Sequence, residues 1–191
     1  YLINALVDLF EVKPDAIYLT MAENLANHLV EHFWDEKNSS FYFTADNHES
    51  LIIRPKNNYD LSMPSGNSVA ANALLKLYHL TQNKKFQEIS TNTMEAFAIM
   101  AAENPFGFGY LLNTIYLHLQ NPTEITILNQ QNKDLCDSIT KRFLPESILV
   151  TVQDSSQLQA LAKYQYFAGK EFENDTTVFV CKNFSCSLPL K

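Results

Sequence analysis

The chain has little basic charge, few cysteines and no long apolar run, and each shortage closes off a class of function. Lys and Arg number 14 against 21 Asp and Glu, a formal net charge of −7, and no basic block exceeds Lys84-Lys85. Nucleic acid demands a concentrated cationic face, so no nucleic-acid partner is expected. No apolar stretch approaches the roughly 18 residues that span a bilayer, so no membrane partner is expected. Ala96 to Ala102, among the longest, sits inside an amphipathic pattern. Three cysteines without a CxxC pair argue against a disulfide framework and for a reducing, cytoplasmic compartment. Cys181 and Cys186 then read as reduced thiols near a strand end. No signal peptide is evident, and an apolar helical pattern begins at Tyr1, so the expectation is a piece of a longer protein.

What is present suits a globular protein: 191 residues, 46% hydrophobic and 18% charged, enough for one large domain or two small ones. The chain also repeats itself. Ala5-Leu6-Val7-Asp8-Leu9-Phe10 aligns without gaps with Ala73-Leu74-Leu75-Lys76-Leu77-Tyr78, an offset of 68 residues, and Leu111 to Tyr116 is a weaker third copy. Repeats of this size indicate stacked supersecondary units. Their period is helical. Tyr18, Ala22, Leu25, Leu29 and Phe33 mark one helix face, with Pro14-Asp15 as its start. From Gly66 to Thr81 apolar residues fill most of the circumference, leaving a stripe of Ser68, Asn72, Lys76 and His79. That pattern predicts an inner helix buried on most sides. Lys84 to Glu103 and Gly107 to Gln120 complete the helical part, each stopped by an Asn-Pro pair.

Aromatic and β-branched runs at Phe41–Thr44 and Leu51–Ile53, around a polar turn, predict a short β-hairpin. After Pro122 the character changes. Ile125–Leu128 and Ile148–Val152 read as strands around a helix from about Asn132 to Phe143, which fits a β-α-β crossover. A helix near Ser155–Lys163 and a last strand at Thr177–Cys181 follow. The predicted fold is mainly α: an array of helical hairpins over 1–121 with a β-hairpin insertion, then a small α/β module over 122–191.

The most informative segment runs from Arg54 to Ser68. Its polar part carries Arg54, Lys56 and Asp60, and Pro64-Ser65-Gly66-Asn67-Ser68 forms a helix entrance that Ser65 or Asn67 can cap. Charged groups beside a helix N-terminus suit a ligand, so Arg54, Lys56, Asp60, Ser65, Asn67 and Ser68 are the candidate binding residues. Against this stands a structural reading in which Arg54 and Asp60 pair to pin the loop and Ser65 merely caps.

Several stretches resemble the C-terminal region of the YyaL family of spermatogenesis-associated, thioredoxin-domain-containing proteins. They are Phe41–Asp46, Leu51–Lys56, Tyr59-Asp60, Pro64–Ala70 and Val178–Pro189. The resemblance implies roughly the last three hairpins of an (α/α) toroid, like that of six-hairpin glycosidases and sugar epimerases, plus an α/β appendage. It further implies a thioredoxin-like domain and earlier hairpins outside this chain. The chain departs from the family pattern in having Ser39-Ser40 for a Gly-Gly pair, Leu61-Ser62 for Gly-Ala after Asp60, and Asn129 for a glycine.

No catalytic residue is assigned. Glycoside hydrolysis needs two carboxylates about 5–10 Å apart, and Asp60 has no evident mate. Asp46 and Glu49 read as solvated turn residues. Trp34, Phe41, Tyr42 and Phe43 suit a sugar platform but more often build core. His28 and His32, four apart, lack a third ligand, so neither metal nor cofactor is expected. Two functions remain: binding of a sugar or other polar small molecule in a toroid cavity, or a non-catalytic scaffold that positions a thioredoxin-like domain on protein partners. A partial ring also predicts self-association.

Overall fold

Short polar caps decide where each helix of the chain begins. In the computed structural model, which describes residues 1–49, 52–129, 132–173 and 175–190, helix α1 (Leu2–Val12) turns at Pro14 into α2 (Ala16–Phe33). The Asp15 carboxylate starts α2 by accepting the Ile17 N–H at 3.0 Å. Ser65 caps α3 (Gly66–Thr81) through the Ser68 N–H, and left-handed Gln82 ends it. Asn83 then caps α4 (Lys84–Glu103) through the Lys85 N–H. A 3-10 turn at Pro105–Gly107 leads into α5 (Gly109–Gln120).

Helices α1 and α2 form one hairpin and α3 and α4 a second, while α3 packs on both α1 and α5. As the pattern predicts, α3 is buried over most of its circumference. Its polar stripe is satisfied residue by residue: Ser68 by Ser65, Asn72 by Thr114, Lys76 by Asp8 and Glu11, and His79 by Glu124. On α2 the buried ridge is Leu19, Ala22, Ala26 and Val30, with Tyr18, Leu25, Leu29 and Phe33 packed beside it.

The small hairpin falls one segment earlier than the sequence suggests. Strand β1 (Trp34–Asp35) pairs antiparallel with β2 (Ser40–Phe41), Trp34 opposite Phe41. Turn chemistry explains the difference. Asp35 accepts the N–H groups of Lys37 and Asn38, and Ser39 adopts φ of 47°, so the chain reverses before the aromatic run. Phe43 still bonds to Pro55, 2.8 Å from N to O, but Ile52 and Ile53 are exposed and form no ladder. Leu51 and Ser50, the rest of that expected pairing, lie outside the described residues.

The α/β part matches its expected crossover. Strands β3 (Thr123–Leu128) and β4 (Ser147–Val152) run parallel, joined through α6 (Lys133–Thr140). Strand β5 (Thr177–Lys182) lies antiparallel on the other side of β3, and β6 (Ser185–Cys186) completes the order β4-β3-β5-β6. Side chains alternate across this sheet as a period of two requires. Ile125, Ile127 and Val178 meet Cys136 of α6 on one face. Leu128, Ile148, Val150, Val152 and Phe179 join Phe10, Leu19 and Leu74 on the other, together with Leu161 of α7 (Ser155–Leu161). One core therefore runs across the expected boundary at Asn121. Cys181 and Cys186, read as separate thiols, instead form a disulfide, because antiparallel pairing of β5 and β6 sets them opposite each other. Cys136 is free and buried.

Candidate functional site

Asp35, which sequence reasoning passed over, organises the first half of the Arg54–Ser68 segment. Its Oδ2 accepts from Lys56 Nζ at 2.5 Å, Asn38 Nδ2 at 2.7 Å and Tyr42 Oη at 2.9 Å. These donors, the Lys56 ammonium first, hold its carboxyl well below the usual carboxylate range. Lys56 also donates to Ser40 Oγ at 2.8 Å. Arg54 donates to the carbonyls of Thr44 and His32, at 2.7 and 3.0 Å, while its guanidinium lies 4.0 Å from the Tyr42 ring centroid. Both cations thus clasp the hairpin, with Tyr42 between them. Its hydroxyl is pushed up by the bond to Asp35.

The second half binds helix ends. Asp60 is buried, and its Oδ1 accepts the Ser65 N–H at 2.7 Å. Its Oδ2 accepts from Tyr110 and Leu111 at 2.8 and 3.2 Å, inside the first turn of α5. One carboxylate therefore joins the starts of α3 and α5, satisfying backbone donors that helices leave open. The backbone N–H of Asp60 bonds to the Gly107 carbonyl, and a Cβ at Gly107 would meet Tyr59 at 3.1 Å. Asn67 does not cap. Its Oδ1 accepts the Phe41 N–H at 2.6 Å, and its Nδ2 donates to Asn57 and Phe41 carbonyls. Among the described residues no ion pair joins Arg54 to Asp60. The six residues are brought together around one loop, each held by partners within the chain.

A cavity of about 350 Å³ opens beside this loop, lined by Tyr1, Phe33, Phe41, Tyr42, Phe43, Asn57, Asn67 and the start of α3. Phe41 is buried against Trp34, with ring centroids 4.9 Å apart, whereas Phe43 is exposed. His32 bonds through Nδ1 to Asp46 at 2.8 Å, so Asp46 has a protein partner rather than water alone. That bond lowers the Asp46 carboxyl. No group of His, Cys, Asp and Glu suited to a metal occurs among the described residues.

A second polar cluster lies between α3 and the sheet. His79 Nδ1 meets Glu124 Oε1 at 3.1 Å, both residues buried, and the His79 ring stacks on Phe184. Lys170, also buried, donates to the Tyr166 carbonyl. The signal for this cluster was the single polar stripe of α3, which ends at His79, and a lone Glu124 in an apolar strand.

The architecture defines a mainly α protein with an α/β part, and no described helix is long and apolar enough to cross a membrane. No family model matches the chain. Whole-chain similarity is found to spermatogenesis-associated protein 20 of Homo sapiens, 25% identical over 197 residues, and of Mus musculus, 24% identical over the same span. An uncharacterized Caenorhabditis elegans protein is 22% identical over 195 residues. Each match covers 100% of this chain but only 25% or 26% of the relative, so the chain spans about a quarter of their length. These relatives support the family to which the motifs point.

Proposed function

We propose that the chain is a non-catalytic scaffold within a larger protein: part of an (α/α) toroid, extended by an α/β module, that holds a thioredoxin-like domain against protein partners. The observation that carries this reading is the engagement of the whole Arg54–Ser68 motif. Its cations grip carbonyls and Asp35, Asp60 ties two helix starts, and Asn67 fixes the hairpin. Groups so engaged serve the loop, since turning them to a ligand would leave backbone donors and acceptors unsatisfied.

One observation favours a second reading. The cavity beside the motif gathers aromatic faces with the Asn57 edge, a combination suited to a sugar or similar polar small molecule. A thermal-shift screen of the full-length protein against neutral sugars and sugar acids separates the two. The scaffold reading expects no shift in the wild type. A shift that Phe43→Ala abolishes would replace it with a ligand site at the cavity.

A further inference from the structure

The Cys181–Cys186 bridge sits at a built cleft rather than on a plain surface. Cys181 is 3% exposed, whereas Cys186, at the sheet edge, is an exposed residue. Both line a cavity of about 380 Å³ together with Lys170, Glu124, Gln82 and Phe184. Lys170 is 8% exposed and has no carboxylate within 4 Å among the described residues. Among the described residues its ammonium donates to the Tyr166 carbonyl, and it lies 5.1 and 5.8 Å from the Tyr166 and Phe179 ring centroids. A buried cation without a bonded counter-ion is costly, and an anion formed in the cleft relieves that cost. Burial accordingly draws the Lys170 pKa down, against the opposing charge of Glu124. Glu124 itself is engaged with His79, which leaves the lysine to any new anion.

We propose that Cys181–Cys186 is a thiol–disulfide exchange site whose reaction partner is a dithiol, with Lys170 positioned to stabilise the Cys181 thiolate that forms in the cleft. One thiolate of the dithiol attacks Sγ of exposed Cys186, forming a mixed disulfide. The Cys181–Cys186 bond breaks, and its electron pair stays on Cys181 Sγ in the cleft that Lys170 also lines. The second thiol of the partner, losing its proton, then attacks its own sulfur in the mixed disulfide and releases Cys186. Two electrons have passed from the dithiol to the cysteine pair, and the two protons the dithiol gave up balance the two new thiols. A leaving thiol of lower pKa departs faster, so the cation accelerates the first step. Exchange with an oxidised partner runs the same steps in reverse.

The test equilibrates the full-length protein in graded dithiothreitol redox buffers, then maps the peptide bearing both cysteines by alkylation and mass spectrometry. Near-ultraviolet circular dichroism follows the fold in parallel. Reversible reduction with the fold intact is expected; reduction only on unfolding overturns the proposal. In the reduced protein the pH profile of Cys181 alkylation should have its midpoint below the ordinary thiol value of about 8.5. Lys170→Met should raise that midpoint by about one unit, slowing alkylation roughly 10-fold at neutral pH, and Lys170→Arg should restore most of it. Buried Cys136 serves as the internal control. A wild-type midpoint at or above 8.5 overturns the proposal even where Lys170→Met fails to fold, as does a folded Lys170→Met with an unmoved profile.

Discussion

Lys76 and Asp8 occupy equivalent positions of the helical repeat, 68 residues apart, and their charges meet at 3.0 Å between α3 and α1. The two helices pack side by side, and opposite charges at this position of the repeat make the two copies a complementary pair. Glu11 joins them, with Lys76 Nζ 3.2 Å from its Oε1. Burial opposes the Lys76 charge, but the carboxylates of Glu11 and Asp8 outweigh it and raise its pKa. Burial holds Glu11 above its usual range despite the lysine.

Removing the cation should therefore strand a partly buried carboxylate. Lys76→Met is expected to lower unfolding stability by about 2 kcal/mol in urea titration. Adding Glu11→Leu should recover most of that loss, since an apolar pair needs no compensation. Asp8→Ala, at a half-exposed partner, should cost well under 1 kcal/mol.

Asp60 offers a sharper case, because its two oxygens have different clients. Asp60→Ala removes acceptors for both helix starts and should cost about 2 kcal/mol. Asp60→Asn keeps one acceptor only, so it should destabilise measurably rather than pass unnoticed. Arg54 grips other carbonyls with no bond to Asp60, so the losses of Arg54→Ala and Asp60→Ala should add within about 0.5 kcal/mol. Strong coupling in the double mutant would restore the pinned ion pair that the sequence invites.

The helices were legible because period and caps are local properties. Asp15, Ser65 and Asn83 stand where the chain enters α2, α3 and α4, and the α3 stripe marked its polar face. The hairpin was misplaced because aromatic content signals a strand without naming its partner. The partner was set by the Asp35 turn and by Ser39 at positive φ, at one of the positions where the resembling family carries glycine. Cysteine count concealed the disulfide, since only the β5–β6 register brings residues five apart face to face. At the motif the residue types were legible and their bonds were not. Arg54, Asp60 and Asn67 all bind backbone groups, and side-chain patterns carry no record of which carbonyl or N–H lies within reach.

Acid should act through Asp35. Its folded pKa lies below the unfolded value, so the native state holds fewer protons there. The stabilisation is complete above the ordinary Asp pKa of about 3.9 and is lost as pH falls below it. Asp46, lowered by His32, adds a contribution of the same sign. The urea midpoint of the wild type should begin to drop near pH 5 and keep falling below pH 3. Asp35→Asn should be less stable at pH 7 and lose less over that range, its curve converging on the wild type in acid.

The last expectation follows from the arrangement of helices around α3. Its neighbours α1 and α5 leave Leu2, Leu9 and Val12, and Tyr116 and Leu119, exposed. In a partial ring such flanks are the surfaces that further hairpins cover, and repeat units with uncapped ends associate through them. Residues 1–191 prepared alone should therefore self-associate. Multi-angle light scattering across a concentration series should give a mass rising above the 21.8 kDa of the single chain. Val12→Glu, at an 81% exposed position where folding loses little, should return the mass toward the monomer. A chain that stays monomeric at every concentration would count against the partial ring, because its flanks would then need no neighbour.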